Sequence, residues 1–309
     1  MQKLAASFVA ATDASDRLQS KTCKDEDAIL FQKFGGIFTM PSQRNGGGIG
    51  QGQYAVAPSG ELLASCATPD PNEVAEMLKH ALGKWEKLPR EKRLLPKAPN
   101  PEAAERWRTW EKLYPKDGLV LHTFSRDLPH KDRENDPPVY PNAWNQDYAW
   151  FRKDEARAFL PPNPKQTMRH EVPPLLVERL ARFHLLDNVR ALNYAFFPKE
   201  GVENARLIAS VVEVQDETVS LRFEGATRTS MPEPQKQGYD ATLLGHAIYD
   251  LKSGRFTDFE LVAVGTRWGL GNCNQRHDSS PSPMGVVLQL AGDSPAERLP
   301  PAFVSRYGW

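Results

Sequence analysis

"DATLLGHAIYDLKSGRFTDFELVAVG", residues 240–265, decides the fold class. Apolar residues recur with a period near two on both sides of Lys252-Ser253-Gly254-Arg255. That period belongs to strands, and the intervening residues read as a hairpin turn. The same texture surrounds it in "ARLIASVVEV" (205–214), "ETVSLRFEG" (217–225) and "PMGVVLQLA" (283–291). Five or more strands with short turns, and no helices between them, predict an antiparallel sheet, a sandwich or an open barrel over residues 188–309.

Upstream the texture changes. Asp70-Pro71-Asn72-Glu73 has the chemistry of a helix start, with a capping carboxylate and proline at the first helical position. Val74, Met77, Leu78, Ala81, Leu82 and Trp85 follow at helical spacing, and His80 points away from them. Before this helix, "GQYAVA" and "ELLASC" flank Ala57-Pro58-Ser59-Gly60, which predicts a hairpin. Residues 5–11, "ASFVAAT", are expected to form a buried strand, and Ala28, Leu30, Phe31 and Phe34 one face of a short helix. Residues 87–100 are a charged, proline-punctuated linker. Asn100-Pro101 is expected to open a helix carrying Ala103, Trp107, Trp110 and Tyr114. Residues 116–170 read as irregular, with short helices expected at 153–160 and 174–186.

Five glycines lie in Gly46–Gly52. A Walker loop would end in Gly-Lys-Ser/Thr, and a dinucleotide fingerprint would carry a glycine where Gln53 stands. A strand follows the run rather than a helix, so a bend entering that strand is the better reading.

"FVAAT", "GQYAVAPSGELLAS" and "DPNEVAEMLKHALGKW" together resemble the second half of a thioredoxin-like domain, over residues 5–86. The CxxC of that family lies on an earlier unit that this chain lacks, and Gly52 or Gln53 stands where it has a cis-proline. The resemblance implies a redox-inactive scaffold in which Cys23 and Cys66 are lone thiols. The expected class is α+β: a thioredoxin-like α/β half-domain at 1–88, a linker with helices and an irregular aromatic-rich segment at 89–187, and an antiparallel β domain at 188–309.

Lys+Arg and Asp+Glu both number 39, so no global field favours a nucleic-acid partner. No apolar run is long enough for a membrane-spanning helix. The N-terminal stretch has no targeting signature, so the cytoplasm is the default compartment, and an exported protein would have lost its leader. Three widely spaced cysteines give no disulfide framework.

Three segments carry candidate chemistry. His122, Asp127 and His130, followed by Asp132, Glu134 and Asp136, have the side chains of a transition-metal site, though a solvated loop explains them as well. Residues 265–285 hold Arg267, Trp268, Cys273, Asn274, Arg276, His277 and Asp278. There Cys273 and His277 suit a nucleophile and base with Asp278 or Asn274 as orienter, or Cys273 and His277 join His246 on a metal, or the segment is a plain surface loop. Trp144, Tyr148 and Trp150, beside Asn145 and Gln146, suit a planar or sugar ligand, or a segment pinned across the sheet. Two functions follow. One is a non-catalytic binding or assembly protein with a protein partner or a second copy. The other is a metal-dependent enzyme with a His/Asp site between the 122–136 segment and the 265–285 loop.

Overall fold

An aspartate, a proline and a stripe of apolar residues organise the first part of the chain. Asp70 Oδ1 accepts the Asn72 N–H at 2.8 Å, and Pro71 opens helix α3, Pro71–Lys87. Met77 and Ala81 are buried against a hairpin of β1 (Gln53–Val56) and β2 (Leu62–Cys66), where they meet Ala55, Ala57 and Leu63. His80 is exposed, as the helical spacing requires. The turn closes where the Gly60 N–H donates to the Ala57 carbonyl at 2.8 Å. A Cβ on Gly52 would lie 2.7 Å from the Cys66 carbonyl oxygen, so this glycine permits close backbone approach at the mouth of the hairpin. Helix α2, Glu26–Phe34, buries Ala28 and sets Phe31 edge-on to Tyr54 at 5.5 Å.

The computed structural model describes residues 2–11, 18, 26–34, 52–68, 70–94, 111–129, 144–189, 196–232, 237–269, 280–294 and 297–309. Two compact units emerge, Met1–Arg108 and Thr109–Trp309. In the first, the strand expected at 5–11 does not form. Gln2–Ala5 is helix α1, the Ser7 and Phe8 amides turn back onto Leu4 and Ala5, and Val9 is almost fully exposed. Only Phe8 of this segment reaches the apolar cluster, so there is too little to bury for a strand. The remaining glycines of the run, Cys23 and the helix expected from Asn100 lie outside the described residues.

In the second unit the predicted strands form as expected: β6 (Val202–Gln215), β7 (Thr218–Ser230), β8 (Gly238–Asp250), β9 (Arg255–Trp268) and β10 (Ser282–Leu290). The Asp250 carboxylate accepts the Lys252 and Ser253 amides at 2.8 and 3.3 Å and so shapes the β8–β9 turn. The β8–β9 register slips once, between Ile248 and Tyr249.

The segment 116–170 is not irregular. It contains β3 (Leu119–Asp127), β4 (Trp144–Phe151) and β5 (Arg169–Glu171). The eight strands lie in the order β4-β3-β10-β9-β8-β7-β6-β5, and every neighbouring pair is antiparallel. The antiparallel region expected at 188–309 is thus the larger part of a sheet that begins at Leu119. β3 was hidden because Thr123, Ser125 and Asp127 occupy its inward positions. In β4, Tyr148 to Phe151 are all buried, so no alternation shows.

Every strand of this sheet except the short β5 contributes to one inner core. Ideal Cβ atoms on Gly245 and Gly265 would lie 2.3 and 1.8 Å from carbonyl oxygens of the adjacent strand, and such close approaches let a sheet bend sharply. Helix α4, Lys153–Arg157, leads into Phe159, whose ring meets Phe151, Phe223, Phe256 and Phe259 edge-on at 5.2 to 6.4 Å. Helix α5, Pro174–Phe183, adds Leu176, Val177 and Leu180. Among the described residues, no helix is long and apolar enough to cross a membrane.

Phe159→Ala should destabilise the fold by ~3–5 kcal/mol, because a buried ring is lost from a close-packed site. The exposed Thr257→Ala should stay within ~0.5 kcal/mol. Urea unfolding of both variants measures the difference, and equal midpoints would refute this account of the core.

Candidate functional site

Strand alternation sets His122 on the outer face of β3, opposite Tyr148 of β4 and Gln289 of β10. Its ring stacks on Tyr148 at 4.5 Å and 16° and lies 4.1 Å from Phe124. Nδ1 is 3.2 Å from Glu297 Oε2, and Nε2 is 3.1 Å from Gln146 Oε1. Both ring nitrogens are engaged, so neither offers a free lone pair to a metal. Asp127, five positions along the same strand, is buried on the opposite face. The two cannot share an ion.

His246 stands on the outer face of β8, 3.2 Å from Asp258 Oδ2. One register row crosses the sheet through Tyr148, His122, Gln289, Glu260, His246 and Arg222. His122 and His246 are three strand steps apart in that row, about 14 Å, and cannot bind one ion. His130, Cys273, His277 and Asp278 lie outside the described residues. Among the described residues, no group of three or more His, Cys, Asp or Glu is placed to hold a metal.

The expected aromatic platform separates into core and surface. Trp150 and Tyr148 are buried, and Trp150 packs edge-on to Tyr114 at 5.4 Å. Trp144 stays 58% exposed, with Phe124 at 6.4 Å. Arg267 is buried on the inner face, donating to Ser282 Oγ at 3.0 Å and the Ser280 carbonyl at 3.3 Å. Trp268 receives the Arg228 guanidinium over its ring at 5.5 Å. Asp127 and Arg267 do converge on one end of the inner face, opposite Met284 and Ser282 of β10. Tyr239 pairs with Arg267 across β8 and β9. Burial and nearby Asp187 raise its phenol.

Two features lay outside the sequence reading. The first is the apolar character of the outer face. Phe124, Val287, Val262 and Leu244 form one row across β3, β10, β9 and β8, with Val264 beside it. Leu244 is 57% and Val264 47% exposed. A shallow groove of about 440 Å³ runs between Leu244, His246, Glu260 and Val264. The signal was present as Leu243-Leu244 and Val262-Ala263-Val264, where both parities are apolar.

The second is a buried chain of polar groups beneath the C-terminal segment. Tyr307 OH lies 2.5 Å from His184 Nε2, and His184 Nδ1 lies 4.0 Å from Asp147 Oδ2. Asp147 Oδ1 accepts the Ala302 N–H at 3.0 Å. Beside them, Arg179 pairs with Glu155, and the Trp309 indole donates to Glu155 at 3.2 Å between the Arg152 and Arg179 guanidinium groups. Burial pushes His184 down to about 3, with Arg179 adding to the effect. Burial pushes Asp147 up to about 7, against the Tyr148 and Ala302 amides that favour its charge.

The architecture therefore defines an α+β chain built around an eight-stranded antiparallel sheet. Comparison with family models, curated proteins and solved structures gives no match.

The two buried groups oppose each other in pH dependence. His184 titrates lower when folded than its ordinary 6.5, so its share of stability is lost as pH falls below about 6.5. Asp147 titrates higher than its ordinary 3.8, so its share is lost as pH rises towards about 7. Between 3.8 and 6.5, where the two windows overlap, the slopes cancel in the native chain. Asp147→Asn should unmask the histidine, with stability falling on acidification by up to ~1.4 kcal/mol per pH unit. His184→Gln should do the reverse. Urea titrations from pH 4 to 7 test this, and variants that keep the native slope would contradict it.

Proposed function

We propose that this chain is a non-catalytic binding and assembly protein whose working surface is the outer face of the second unit. The exposed apolar row through Leu244 and Val264, in the middle of a long sheet, carries this reading. Three arginines of the face are paired: Arg206 with Glu171, Arg222 with Glu224, and Arg228 with Glu203 and Asp240. The groove is too open to enclose a small ligand. A flat protein surface suits it better.

A second copy matches the face by charge. Glu260, His246 and Arg222 lie in one row with β8 at its centre. Turning a second copy over about an axis along β8 lays its β9 on β7. Each Glu260 then faces the other copy's Arg222, and Leu244 meets Leu244. Such a contact is isologous, so every favourable pair occurs twice. The first unit keeps the hairpin and terminal helix of the thioredoxin-like resemblance, and we read it as a redox-inactive scaffold. Burial and the nearby Glu73 push the Cys66 thiol up, away from thiolate chemistry.

The metal-enzyme alternative rests on Asp127 and Arg267 sharing one end of the inner face. A stoichiometric transition metal, lost on His277→Ala, would establish it.

Sedimentation of the full chain at micromolar concentration should show a dimer, and Leu244→Arg should give a folded monomer. Glu260→Arg should weaken the dimer, whereas Glu260→Arg combined with Arg222→Glu should restore it. A native chain that stays monomeric, or a charge swap that fails to rescue, would overturn the proposal.

A further inference from the structure

We propose that one buried water molecule sits between Thr123, Asp147 and His184 and fastens the C-terminal segment to the sheet. Thr123 Oγ1, Asp147 Oδ2 and His184 Nδ1 are buried and, among the described residues, have no direct hydrogen-bond partner. Thr123 and Asp147 are directly opposed across β3 and β4, which sets their Cβ atoms about 5 Å apart on one face. Asp147 Oδ2 and His184 Nδ1 are 4.0 Å apart, too far for a direct hydrogen bond. Two legs of ~2.8 Å meeting near a right angle span that gap. Three polar groups around one point satisfy what a buried water requires, and leaving all three dry costs more than immobilising it. Trp150 Nε1 is also buried and unpaired, but it belongs to the opposite parity of β4 and faces away.

The hydrogen-bond directions agree. Tyr307 donates its O–H to His184 Nε2, which puts the ring proton on Nδ1, facing the water. The water accepts from Nδ1 and donates to Asp147 Oδ2 and Thr123 Oγ1. Asp147 Oδ1 holds the Ala302 amide at 3.0 Å. One molecule thereby links β3, β4 and the end of α5 to two points of the C-terminal segment, Ala302 and Tyr307. Arg179, paired with Glu155, lies over the Tyr307 ring at 4.7 Å and so packs beside this chain without joining it.

Two measurements on the full chain test the site. A high-resolution crystal structure should show a solvent peak within hydrogen-bonding distance of all three atoms. Thr123→Val keeps the shape and removes one leg, so hydrogen exchange at the Ala302 amide should quicken about tenfold relative to β7 amides. Thr123→Ser, which keeps the hydroxyl, should leave that exchange unchanged. A map that resolves other buried waters but is empty here would overturn the proposal, and so would equal exchange at Ala302 in Thr123→Val and the native chain. Should Thr123→Val not fold, the map and Thr123→Ser decide, with accelerated exchange in the serine variant counting against the site.

Discussion

Eight antiparallel strands with one apolar face must keep that face from water across its whole width. The rest of the second unit follows from this requirement. Phe159 lies on the inner side and touches aromatic rings from β4, β7 and β9. Helix α5 covers the neighbouring ground with Leu176, Val177 and Leu180. The glycines that permit close backbone approach let the strands bend around this filling. Because the inner face is packed, the outer face is the one exposed to its surroundings.

The sheet's two ends are managed differently. β5 is only three residues long and offers little edge. β4 is longer and is crossed by the C-terminal segment, which reaches from Glu297 at His122 to Ala302 at Asp147, Tyr307 at His184 and Trp309 at Glu155. Val120, Tyr148 and Trp150 are buried beneath it, in a cluster that Phe183 and Tyr307 complete. An edge protected in this way is a poor template for strand addition.

Much of this fold was legible because it follows local rules. β6 to β10 announced themselves by period, and α3 by its cap and stripe. β3 and β4 did not, since Thr123, Ser125 and Asp127 point inward and β4 is buried on both sides. The candidate residues are used differently from what their side chains suggest. His122 and Tyr148 do meet, but as stacked neighbours rather than as ligands, and Trp150 is core. Asp127 and Arg267, taken from distant segments, do share one end of the sheet. The Asp147, His184 and Tyr307 chain could not be read at all, because its last link joins residues 123 positions apart. Such pairing is created by topology and leaves no periodic trace.

The register slip between Ile248 and Tyr249 has a wider consequence. A bulge fits at one place only, so it works as a pin through this long hairpin of the sheet. Without it, sliding β9 along β8 by a single residue would exchange the parities of the strand, sending Val264 inward and Ala263 outward. One irregular peptide thus determines which side chains the molecule shows to the world and which it keeps.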